Sequence, residues 1–159
     1  MELKAVELSP QALRGIGVII IPREWPAIND DSGFHYAETN GALGLESTLS
    51  SGSLDCAPRP KTLKKMERHL KTREMLVALK GESIVCLAPP QEPSGGSLQG
   101  ITAVRVKAGD VFILETGAWH WIPFPVGTQA ARFLVVFKAR TGQDDLYFCD
   151  LAESRTVNG

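Results

Sequence analysis

At 159 residues, with 17 lysines and arginines against 18 acidic residues and a formal net charge of -1, the chain has the size of one domain. The near-neutral balance argues against a general nucleic-acid binder, whose domain is basic as a whole. Nothing approaches the roughly 20 apolar residues of a membrane span. With 15 glycines and 10 prolines the chain is rich in turns, which favours a β architecture.

The N-terminus, Met1-Glu2-Leu3-Lys4, has no long apolar run, so no secretory signal is expected. Ser9 is a good N-cap, Pro10 suits a first helical turn and Gly15 can close one, which predicts a short helix there. A strand is expected over 18–21. From Pro22 to Pro60 the signal is weak. Turns are expected at Asn29 to Gly33 and at Ser50 to Ser53, with short strands between.

The stretch 61–74 is rich in helix formers, with Leu63, Met66 and Leu70 at helical spacing, so propensity favours an amphipathic helix. The chemistry of its acidic and imidazole groups favours two strands, and periodicity does not decide between them. Apolar runs at 75–79 and 83–87, joined by Lys80-Gly81-Glu82, read as a hairpin. A Pro- and Gly-rich connection follows, then strands at 102–106, 111–114 and 132–137. Short strands at such spacing predict a barrel or sandwich. No internal repeat is visible. The odd number of widely spaced cysteines, Cys56, Cys86 and Cys149, gives no disulfide framework and fits a reducing, cytoplasmic setting.

The chemistry concentrates in Glu67-x-His69, Glu74 and His120. Residues two apart on a strand share a face, so Glu67 and His69 can aim into one cavity. Glu74 has the wrong parity for one unbroken strand, and a bend within 70–73 would restore convergence. Gly109, Glu115, Gly117 and His120 can return a second imidazole from a distant strand. Two imidazoles and two carboxylates suit a divalent transition metal such as Zn, Mn, Fe or Ni. On a helix, by contrast, Glu67 and Glu74 would share one face and His69 would lie nearly opposite.

This spacing resembles the two cupin motifs, in which His-x-His, a Glu and a later His hold a metal inside a small β-barrel. Glu67 stands where the first His is usual, and Glu115 where the second motif usually has Pro. The chain more closely resembles the ureidoglycolate lyase family, through Glu67-Arg68-His69, Lys80-Gly81 and Trp119-His120, and through its opening at 8–19. It departs from that family in having Glu74 for a usual Gln, which makes the site more anionic. Phe34-His35-Tyr36 replaces an Arg- and Tyr-rich segment, and Asp144-Asp145 only loosely echoes a C-terminal acidic element.

The resemblance implies an all-β fold, a cupin-type double-stranded β-helix barrel with a short N-terminal helix, as a single domain over 1–159. It implies a lyase acting on ureidoglycolate or a related carbinolamide acid. The expected metal ligands are Glu67, His69, Glu74 and His120. The expected catalytic groups are Glu67, His69, His120 and Lys80, with Lys80 holding a substrate carboxylate or else simply occupying a charged turn. The alternative is a non-lyase cupin that binds a divalent metal or small ligand. A homodimer is expected, with no nucleic-acid or membrane partner.

Other residues have plainer readings beside functional ones. His35 suits a strand histidine better than a ligand. Trp119 and Trp121 suit core or dimer packing, with cavity lining as the other reading. The basic cluster from Arg59 to Arg73 suits a solvated face; an interaction protein using it, with the barrel as scaffold, is a third possibility. Lacking interleaved aromatics, it is a poor nucleic-acid surface.

Overall fold

The computed structural model describes residues 1–20, 43–45 and 48–159. The described residues form twelve strands and one short helix. In chain order the strands are β1 Glu2–Glu7, β2 Gly17–Ile19, β3 Leu49–Cys56, β4 Thr62–Arg68, β5 Glu74–Lys80 and β6 Glu82–Ala88. After them come β7 Thr102–Lys107, β8 Val111–Leu114, β9 Trp119–His120, β10 Phe124–Pro125 and β11 Ala131–Lys138. The helix α1 Thr141–Asp144 precedes the last strand, β12 Tyr147–Asn158. The all-β barrel expected from the sequence is the architecture observed.

One sheet runs β10-β6-β7-β1-β12-β4-β9, and β9 also pairs with β6, so this sheet closes on itself. The other runs β2-β8-β5-β11-β3. Alternation along the strands sorts the apolar residues into two cores. Leu63, Met66, Ile84, Cys86, Trp119 and Phe124 belong to one cluster, built on the closed sheet. Val85, Leu87, Val104, Phe112, Leu114 and Phe133 belong to the other, between the two sheets. From Ser83 onward β6 is buried at every position because it serves both clusters, which explains its unbroken apolar run.

Four local expectations change. The N-terminal helix is a run of turns: Ser9 does cap, its Oγ accepting from the Ala12 amide at 3.2 Å, but Gly15 has φ +72° and Gly17 already pairs with Leu114. One turn is all the chain has before it must enter β2. The runs around Gly81 are not a hairpin, because β5 and β6 lie in different sheets. Gly81, at φ +78°, is the corner between them, and an added Cβ would sit 3.0 Å from the Ala130 carbonyl oxygen. The Ser- and Gly-rich 50–53 stretch is strand rather than turn, held by full-length pairing of β3 with β11. The strand expected over 18–21 is observed as β2 and ends at Ile19; Ile21, the Asn29 to Gly33 turn and His35 lie outside the described residues.

The stretch 61–74 is two strands, β4 and the start of β5, joined by a bend. Its helix-like apolar spacing has a structural cause. Pairing of β4 with β12 is interrupted between Lys65 and Leu63, where β12 carries extra residues between Asp150 and Arg155. Leu63 and Met66, three apart, therefore both reach the same core.

Candidate metal centre and pocket

Glu67 near the end of β4 and His120 on β9 are register partners on neighbouring strands. His69 follows β4, and Glu74 opens β5 in the opposite sheet. The bend between them restores the convergence that simple alternation forbids. Asp145, buried at the end of α1, holds it: its two carboxylate oxygens accept from the backbone amides of Leu70 and Lys71, each at 2.8 Å.

The four side chains meet between the sheets. Ligand-capable atoms of Glu67, His69 and His120 lie within 4.8 Å of one another. Glu74 Oε2 sits between the two imidazoles, 3.3 Å from His69 Nε2 and 3.0 Å from His120 Nε2, and Glu67 Oε1 is 3.7 Å from His120 Nε2. Each histidine is anchored from behind. His69 Nδ1 donates to the Asp145 carbonyl at 2.6 Å, and His120 Nδ1 donates to the Ala118 carbonyl at 3.1 Å. A carbonyl only accepts, so Nδ1 keeps its proton in both rings and each Nε2 is turned towards the carboxylates.

Charge follows from this packing. Burial opposes a charged His120, but the Glu74 carboxylate, then Glu67, outweighs it and pushes the imidazole up to about 9. Burial likewise opposes a charged Glu74, yet the charges of His120 and His69 hold it down at about 2. Burial depresses His69, and the contact with Glu74 more than reverses it. Glu67 is raised, chiefly by burial, against the pull of His120.

A divalent ion fits these residues. Ion–donor bonds of about 2.0–2.2 Å put neighbouring donors roughly 2.8–3.6 Å apart, close to the contacts observed. Glu74 Oε2 and His120 Nε2 are fully buried, yet their contact is not aligned as a hydrogen bond, and neither atom has another hydrogen-bond partner. Native interiors rarely leave such atoms unsatisfied, and a shared cation would satisfy both.

The cluster lies at the wall of a cavity of about 310 Å³. Its other walls are mostly apolar, and none of the described residues lining it is a lysine or arginine. Lys80 is exposed at the Gly81 corner and is not among them, so the role expected for it on a substrate carboxylate has no support in its position. Trp121 lines the cavity, whereas Trp119 is buried in the core. The three cysteines are free and buried, and burial pushes the Cys86 thiol up to about 12.

Three cations of the basic cluster, Arg59, Lys65 and Arg68, engage the segment 119–124 that begins with the strand carrying His120. The Arg68 guanidinium lies 4.6 Å from the Trp119 ring centre and Lys65 Nζ 5.0 Å from that of Trp121. Arg59 stacks on Phe124 at 4.4 Å and donates to the carbonyls of Ile122 and Pro123 at 2.7 and 2.9 Å. Lys65 also meets the Phe148 ring at 4.7 Å. These cations brace the cavity's lip, a role that the charge run alone does not suggest. Asp145 likewise has no sequence signal for this role beyond its place in the acidic pair Asp144-Asp145.

No protein-family model matches the chain, and no curated protein does. Among solved structures it is similar to an oxalate decarboxylase–formate complex from Lactobacillus farciminis, at 24% identity over 57% of this chain and 24% of that one, with a TM-score of 0.44. It is similar to an uncharacterized conserved protein with a double-stranded β-helix domain from Klebsiella pneumoniae, at 16% identity over 67% and 78%, TM-score 0.48. A Bacillus subtilis oxalate decarboxylase, described for its Mn(II) centres, is 18% identical over 69% and 24%, TM-score 0.43. The chain spans about a quarter of the length of the oxalate decarboxylase chains it matches. Among the described residues no helix is long and apolar enough to cross a membrane.

Proposed function

We propose that this protein is a divalent-metal cupin that performs acid–base chemistry of the lyase type on a small oxygen-bearing molecule. One observation carries the reading: the buried ion pair of Glu74 Oε2 and His120 Nε2, in which neither atom makes an aligned hydrogen bond, flanked by His69 and Glu67. His69, Glu74 and His120 would hold the ion, with Glu67 as a fourth ligand or a base. Bound there, the ion would polarise substrate oxygens. Asp145 and Ala118 keep the ring nitrogens turned inward through their carbonyls. Glu67 is the proton carrier, because it is the less buried carboxylate and its raised pKa brings it closer to a working pH.

The test is metal uptake by purified protein stripped with chelator and titrated with Mn(II), Ni(II), Zn(II) or Fe(II). One ion per chain, lost in His69→Ala and His120→Ala, is expected. A folded protein with no affinity for any of them overturns the reading.

A second reading, ureidoglycolate lyase, draws on Glu67-Arg68-His69, Lys80-Gly81 and Trp119-His120. Its substrate carries a carboxylate, for which the described lining of the pocket offers no lysine or arginine. Release of glyoxylate from ureidoglycolate by metal-loaded protein supports it, and no turnover eliminates it. A cytoplasmic homodimer belongs to the same proposal; sedimentation at several concentrations tests the dimer.

A further inference from the structure

We infer that the ligand of this pocket is an uncharged molecule with an apolar body, aromatic or branched aliphatic, and a single oxygen-bearing head. This rests on the metal-site reading and names the substrate class for it. The cavity's ionisable groups are gathered in one place. Glu67 and His120 from one sheet, Glu74 from the other and His69 after β4 meet there. The rest of the described lining is mostly hydrocarbon: Leu76 and Leu114 beside Glu74 on β5 and β8, Leu54 on β3, Val135 and Phe137 on β11, and Leu146 after α1. Phe137 continues this surface up to the site itself, its ring centre 6.0 Å from that of His69.

Two arguments select the class. A volume of about 310 Å³ accommodates a small molecule, and a polar ligand that filled it would strand its hydrogen-bonding groups against Leu and Val side chains. Two carboxylates offset the two charges of a divalent ion, so the loaded site has no surplus positive charge to attract an anion. An apolar body gains from the hydrocarbon wall, and a single head meets the ion.

The experiment compares three chelating probes on metal-loaded protein by calorimetry. Benzohydroxamate and acetohydroxamate share a head and differ in body; oxalate is a small dianion. Benzohydroxamate should bind at least tenfold more tightly than either of the others. Leu146→Asp, at the partly exposed edge of the wall, should lose most of that preference, and Leu54→Asn gives the same check at a second site. Equal affinity for the two hydroxamates, or tighter oxalate, overturns the substrate class while leaving the metal site standing. Protein that takes up no metal and binds no probe overturns both.

Discussion

Asp145 grips His69 from both of its polar ends: its carbonyl accepts the ring Nδ1 proton at 2.6 Å, and its carboxylate caps the next two backbone amides. Residues 76 positions apart in the chain thus determine one imidazole's direction. Asp145→Ala removes two charge-assisted bonds in a buried place and should cost about 3 kcal/mol in urea unfolding. Metal affinity should fall roughly 10- to 100-fold, as for other partners that orient a metal-bound histidine. Both variants keep the backbone carbonyl that His69 uses, and Asp145→Asn also keeps one side-chain acceptor, so it should lie between. Competition titration against a chromophoric chelator measures all three proteins.

The stability of the metal-free protein should depend on pH from both sides. His120 has a folded pKa of about 9, above its unfolded value, so its contribution is complete below about 6.5 and fades as pH rises through 9. Glu74 has a folded pKa of about 2, below its unfolded value, so its contribution is complete above about 4.5 and fades as pH falls towards 2. Both describe one ion pair and are not summed. Thermal unfolding should plateau between pH 4.5 and 6.5, and Glu74→Gln should flatten both limbs.

Metal uptake should run the opposite way on the alkaline side. The ion must displace the proton that Glu74 holds on His120, so affinity should climb from pH 6 to pH 9. Calorimetry in buffers of different ionisation enthalpy should register at least one proton released per ion.

The two carboxylates should separate under mutation. Glu74 is buried between the imidazoles, whereas Glu67 lies 3.7 Å from His120 and within 4.8 Å of His69. Glu74→Gln should weaken metal binding more than about 100-fold, beyond the loss of an orienting partner. Glu67→Gln should weaken it by about tenfold while abolishing proton transfer, at a cost to turnover of roughly 10²- to 10⁴-fold. Measuring affinity and turnover on the same preparations resolves the two roles.

Arg59→Met removes two bonds to carbonyls and a stacked cation from the cavity's lip. A loss of about 2 kcal/mol is expected. Hydrogen exchange should quicken at the amides of Trp121 and Val126, which now bond Cys86 and Glu82.

What the sequence reveals and conceals here divides along physical lines. The later strands are legible because they are continuous apolar runs between turn residues. Glu67, His69, Glu74 and His120 are legible through spacing, since strand alternation sets two of them and a glycine-marked motif the other two. The corner at Gly81 is not, because a tight turn within a sheet and a turn between sheets carry the same Lys-Gly-Glu signal. Nor is the strand at 50–53, where eight backbone pairs with β11 override Ser and Gly preferences. Asp145 leaves no periodic trace: its contacts depend on a fold that brings residue 145 beside residue 70.

The strand that carries His120 is two residues long, yet it bonds to β4 on one side and β6 on the other. It is the latch of the closed sheet, and the imidazole projects from the latch itself. Whatever pulls on that ring pulls on the seam, so ligand exchange at the centre and breathing of the barrel wall share a single moving part.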